Sequence, residues 1–163
     1  AFVSSYHFLE ALFLGQTIPS VETWLDLFLS KYSAQGIWHE FVASWWALRH
    51  EPNVLFMTYE SMKADAGQAI EKVAEVMGVE LTAVQLTNIQ HLSSFAHMKS
   101  IEEKFYPPIV SPLYQPGGTM IRKGQTGTAS ELLSPAQQQR IDDYCRAGLQ
   151  ALGSDFPYDE WYG

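Results

Sequence analysis

Val54-Leu55-Phe56-Met57-Thr58-Tyr59 is the run that decides the fold class. It is short, continuously apolar and rich in strand formers, so it reads as a strand buried on both faces, as in a parallel sheet. Pro52-Asn53 breaks the chain just before it. Its polar exit at Tyr59-Glu60 falls at the C-terminal strand end, where open α/β sheets bind ligands. One strand makes no sheet, so its partners are expected outside this sequence. The expectation is an α/β protein, mostly helical in this chain with one clear buried strand.

Upstream, Phe2, Tyr6, Leu9 and Phe13 form a helical stripe over residues 2–14 that stops at Gly15. The stripe begins almost at the first residue, as expected of a chain cut from something longer. Ser20 is a good N-cap before Trp24, Leu27 and Phe28. A third helix is expected over residues 37–50, with Phe41, Val42, Trp45 and Trp46 on one side. Downstream, Asp65 with Gln68, Thr82 with Gln85, and Ser134-Pro135 with Gln137 give three capping-box starts. The last of these helices should turn Ile141, Tyr144, Cys145, Leu149 and Leu152 inward. Between residues 100 and 133 lies a long stretch rich in Pro and Gly, and a loop of that length is usually functional or disordered.

The 163 residues fit one modest domain, and 47% hydrophobic with 13% aromatic residues is enough for a real core. The net charge of −8 argues against a general nucleic-acid binder but leaves room for a local anion site. Cys145 is the single cysteine, so no intrachain disulfide forms and nothing marks an oxidising compartment. No run reaches the ~18 apolar residues of a membrane span, and no basic segment precedes the apolar N-terminus. A cytoplasmic protein with no membrane partner is expected. The five histidines show no metal-like spacing, so no metal is assigned. No Walker A, nucleophile elbow or dinucleotide fingerprint is present.

Arg122 and Lys123 sit beside Gly124 in Ile121-Arg122-Lys123-Gly124-Gln125-Thr126-Gly127. A guanidinium fork matches phosphate oxygens, Lys adds a compact charge, and the glycines expose backbone N–H groups. A solvated basic turn has the same composition, and the residues alone do not separate the two. Ser4 and Ser5 either cap a helix or donate to an anion at its mouth. Tyr59 either hydrogen-bonds a ligand or closes the core. Phe95 and Met98, after Ser93-Ser94, are either core residues at helical spacing or walls of a slot for a flat base.

Together these segments resemble the cytosolic-type sulfotransferases, and the likeness covers nearly the whole chain. Val3-Ser4-Ser5-Tyr6-His7-Phe8 is similar to the segment after that family's Arg-Asn-Pro-(Lys/Arg)-Asp motif. The stretch from Phe41-Val42 to Trp45-Trp46, and Val54 through Lys63, is similar to its central helix and strand. Ser93-Ser94-Phe95 with Met98-Lys99 resembles its Thr-Ser-Phe segment, and Arg122-Lys123-Gly124 with Gly127 its Arg-Lys-Gly-x-x-Gly loop. The resemblance implies the C-terminal portion of a P-loop-kinase-like three-layer α/β sandwich. It implies that Ser4, Arg122, Lys123 and Gly124 hold the 3′-phosphate of 3′-phosphoadenosine 5′-phosphosulfate or of its product, 3′-phosphoadenosine 5′-phosphate. Tyr59 would bond the adenine, Ser93 and Phe95 would flank it, and Met98, Met120 and Ile121 would complete the pocket.

The family's 5′-phosphosulfate loop and catalytic His have no counterpart here. Residues 1–163 are thus expected to be a partial sulfotransferase domain with no catalytic residue of its own. The parent would pass a sulfuryl group to a hydroxyl or amine of a small acceptor, with Phe105, Tyr106 and Tyr114 as candidate walls of the acceptor pocket. Self-association through the exposed strand and apolar faces is also expected. The alternatives are a non-catalytic nucleotide-binding or interaction module, or another P-loop-type kinase relative. Two departures stand out: Gly127 is followed by Thr128-Ala129 where the family has Asp-Trp, and the family's C-terminal dimer motif is not recognisable after Tyr144.

Overall fold

A computed structural model describes residues 2–30, 37–105 and 118–162. Among them the regular structure is helical: α1 (Phe2–Leu9), α2 (Val21–Phe28), α3 (Trp38–Trp46), α4 (Tyr59–Ala64), α5 (Ala66–Val76), α6 (Ala83–Leu92), α7 (Phe95–Ser100), α8 (Pro135–Ala151) and α9 (Tyr158–Tyr162). A π-helical stretch, Glu10–Leu14, prolongs α1 as far as Gly15.

The starts follow local capping chemistry. Ser20 Oγ accepts from the Thr23 N–H, and Asp65 Oδ1 from the Gln68 N–H. Thr82 and Gln85 form the full reciprocal box at α6. At α8 the Ser134 N–H donates to Gln137 Oε1, while Ser134 Oγ accepts from the Gln137 N–H. Each cap satisfies backbone donors that the first helical turn leaves without partners.

The expected buried strand is not there. Among the described residues no strand occurs, and residues 54–58 run half-buried between a series of turns and α4. Thr58 is an N-cap whose Oγ1 accepts from the Ser61 N–H at 3.0 Å, so Tyr59 opens a helix instead of closing a strand. The physical reason is pairing: an extended run becomes a strand only when a neighbour completes its ladder. Its apolar side chains are still used, since the Phe56 ring meets Trp46 at 5.2 Å and Trp161 at 5.8 Å. Leu152, expected to face inward from α8, is half exposed at 50% and lies just beyond the helix.

The chain divides into two compact units. One comprises Ala1–Ile37 and Met98–Cys145. Its core is Phe2, Leu25 and Leu133, with Val3, Val21, Trp24, Phe28, Leu132 and Ile141 packed around them. The Phe2 and Phe28 rings meet edge to face at 5.1 Å. Arg140 on α8 reaches Glu22 and Asp26 on α2, which raises its own pKa, the Asp26 hydrogen bond being the main cause. Gly118 lies so close to the backbone of Ala11 that a Cβ would stand 2.1 Å from the Ala11 carbonyl oxygen.

The other unit comprises Trp38–His97 and Arg146–Gly163. An aromatic cluster of Trp38, Trp46, Phe56, Phe156, Tyr158 and Trp161 fills it with edge-on contacts. Asp155 accepts from the Trp46 indole N–H and from Arg49, whose guanidinium lies 4.6 Å from the centre of the Trp46 rings. Phe41 and Trp45 remain exposed at 65% and 46%. They border an open groove of about 350 Å³ together with residues 53–57.

Candidate functional site

The first unit holds Ser4, Met98 and the stretch Met120 to Gly124; the second holds Tyr59, Ser93 and Phe95. Within the first unit, Phe2 and Val3 share a core with Leu132 and Leu133. That packing places the opening turn of α1 beside the chain just after Glu131. Ser4 Oγ is exposed and has no hydrogen-bond partner among the described residues, whereas Ser5 Oγ donates back to the Phe2 carbonyl at 2.8 Å.

The basic loop is entered through a polar clasp. Thr119 Oγ1 donates to Glu102 Oε1 at 2.7 Å, and Lys99 Nζ bonds both Thr119 and Glu102, the latter at 2.5 Å. Glu102 is buried, an expensive place for a carboxylate unless it is paired. The clasp ties the end of α7, with Met98, to the residue just before Met120. Met98, Met120 and Ile121 are all half-buried.

Beyond the clasp the backbone turns through positive φ at Gly124 (58°) and Gly127 (71°), conformations an L side chain rarely adopts. The N–H groups of residues 124–127 enter no hydrogen bond among the described residues. Arg122 and Lys123 project from this stretch, 28% and 43% exposed. Both reach one carboxylate: Glu131 Oε2 lies 2.5 Å from Lys123 Nζ and 3.7 Å from Arg122 Nη1. The Lys123 hydrogen bond lowers the pKa of Glu131, with the charges of Lys123 and Arg122 adding to it against some desolvation.

In the second unit, Tyr59 is 47% exposed at the start of α4, and Phe95 39% exposed at the start of α7. Ser93 caps the end of α6, its Oγ donating to the Ile89 carbonyl at 2.8 Å. Phe95 is thus no core residue, and Tyr59 does not close a core. Of the expected acceptor-pocket walls, Phe105 is half exposed, and Tyr106 and Tyr114 lie outside the described residues. Sequence reading missed Glu131 and Glu102. Both act across irregular backbone, where residue spacing carries no directional information. The available signal was an acid placed eight residues after Lys123 in an otherwise basic loop. No group of three or more His, Cys, Asp or Glu side chains is placed to hold a metal among the described residues. Among the same residues, no helix is long and apolar enough to cross a membrane.

Comparison with known proteins adds a family. The profile described as "Sulfotransferase domain" matches residues 1–153. Sulfotransferase 2A6 of Rattus norvegicus is 31% identical over 158 residues, covering 96% of this chain and 56% of the relative. The crystal structure of mouse sulfotransferase SULT7A1 complexed with PAP superposes with a TM-score of 0.73 at 26% identity, covering 91% of this chain and 53% of that one. Retinol dehydratase in complex with androsterone and inactive cofactor PAP superposes with a TM-score of 0.74 at 22% identity, covering 96% and 45%; that is a likeness of fold. The chain spans about half the length of the curated relatives it matches. The match sets aside the kinase alternative, and the chain belongs to the sulfotransferase family.

Proposed function

We propose that the protein, at the length of its relatives, transfers a sulfuryl group from 3′-phosphoadenosine 5′-phosphosulfate to a hydroxyl or amine of a small acceptor in the cytoplasm. The sulfur–oxygen bond to the phosphate breaks, a bond from sulfur to the acceptor forms, and the acceptor proton passes to a base. This chain supplies the grip on the nucleotide. Arg122, Lys123, Gly124 and Ser4 take the 3′-phosphate. Tyr59, Ser93, Phe95, Met98, Met120 and Ile121 take the adenine. A phosphate monoester carries a charge near −2 and three acceptor oxygens. The carrying observation is the loop itself, which presents two cations and a run of N–H groups on largely exposed residues that are unbonded among the described residues.

No residue here takes the place of the family's base or of its 5′-phosphosulfate loop. The 163-residue polypeptide alone is therefore expected to turn over no donor. The protein completed to the length of its relatives should release 3′-phosphoadenosine 5′-phosphate in the presence of some member of a broad panel of phenols, alcohols and amines. Failure with every acceptor would refute the reaction class, and turnover by the 163-residue chain would refute this division of labour. Self-association remains part of the reading, through exposed apolar faces alone, since no strand edge is present among the described residues.

A further inference from the structure

The Arg122–Lys123 loop is not simply open. One acid, Glu131, already lies against both of its cations, at 2.5 Å from Lys123 Nζ and 3.7 Å from Arg122 Nη1. Glu131 sits in a short 3-10 turn, Ala129–Glu131, directly before the core residues Leu132 and Leu133. The turn is thus fixed at its far end by packing, and the carboxylate is delivered to the cations by the fold. An anion arriving at the loop must displace it or share the cations with it.

A carboxylate is a monoanion with two oxygens, whereas a phosphate monoester brings nearly twice the charge and a third oxygen. A phosphodiester, like a carboxylate, brings a single negative charge to the contact. We propose that Glu131 is a resident counter-ion that sets the specificity of the loop. It yields to a terminal phosphate monoester and holds against weaker anions. The proposal rests on the reading of this loop as a phosphate site and adds to it the residue that decides which anions enter.

Glu131→Gln keeps the shape and removes the charge. Glu103→Gln is the control, because it removes the same charge from an exposed side chain that pairs with neither cation. The 163-residue chain and both variants are titrated by NMR with 3′-phosphoadenosine 5′-phosphate, inorganic phosphate and the monoanionic diester dimethyl phosphate, with Arg122→Ala alongside. Exposed ion pairs are individually weak, so two of them released together should raise anion affinity roughly 2- to 30-fold in Glu131→Gln. The gain should be larger for dimethyl phosphate than for inorganic phosphate, eroding the discrimination, and Glu103→Gln should change little. Equal effects of the two Gln variants, or an unchanged ratio of phosphate to dimethyl phosphate affinity in Glu131→Gln, would overturn the proposal. If Arg122→Ala still weakened nucleotide binding, the phosphate reading would survive that failure. If Arg122→Ala changed nothing and no form bound phosphate, both would fall.

Discussion

Arg122 and Lys123 show how one residue elsewhere can redefine a motif. Two adjacent cations in an acidic protein read equally as a solvated turn or an anion site, and the structure adds a third partner, Glu131. The ordinary carboxyl value of 4.5 is lowered here, chiefly by the Lys123 hydrogen bond. A group with a depressed folded pKa contributes above its unfolded value and loses that contribution as pH falls through the folded one. Glu131 is therefore ionised at neutral pH and gives up its charge only below the ordinary carboxyl value. The affinity ratio between Glu131→Gln and the unaltered chain should grow as pH falls through about 6, where the phosphate loses its second charge, and shrink toward one once Glu131 protonates, below the ordinary 4.5. Absolute affinity falls near pH 6 in both proteins, because the phosphate itself protonates there. Nucleotide titrations at stepped pH check this, and a ratio that shrank above pH 5.5 would point to a different group.

At the scale of elements, what could be read from the sequence was what is decided locally. Ser20, Asp65, Thr82 and Ser134 each start a helix with the expected donor three residues on. Capping is settled within one turn, so four residues suffice to predict it. Residues 54–58 were misread for the opposite reason, since an apolar run does not specify what pairs with it. The site was legible to a similar limit. The basic loop and its glycines showed in the sequence, but not the long-range partners Glu131 and Glu102, which only folding brings in. The same contrast predicts stability. Thr82→Ala removes one exposed cap and should cost about 1 kcal/mol. Leu25→Ala empties a fully buried position at the α1–α2 contact and should cost about 2–5 kcal/mol. Urea denaturation of both variants compares them, and a Thr82 loss equal to or above that of Leu25 would contradict the assignment of the core.

On the scale of the whole molecule, each unit has a core of its own and surfaces that its own residues leave open. In the second unit Phe41, Trp45, Val84 and Met77 are exposed at 65%, 46%, 79% and 69%. Apolar surface gathered like the Phe41–Trp45 pair, beside a groove, marks a contact site more often than single exposed residues do. Sedimentation of the 163-residue chain should show association that weakens in Phe41→Lys with no loss of melting temperature. A stable monomer, or association unaffected by that change, would remove this face from the account.

The central claim is that the loop at residues 121–124 reads a 3′-phosphate. Calorimetric titration of 3′-phosphoadenosine 5′-phosphate and adenosine 5′-phosphate against the protein completed to the length of its relatives, with and without Arg122→Ala, tests it most directly. A charged hydrogen bond to phosphate is worth about 1.5–3 kcal/mol. The variant should therefore bind the first nucleotide roughly 10- to 150-fold more weakly and the second almost unchanged. Equal losses for both nucleotides, or no loss for either, would contradict the claim.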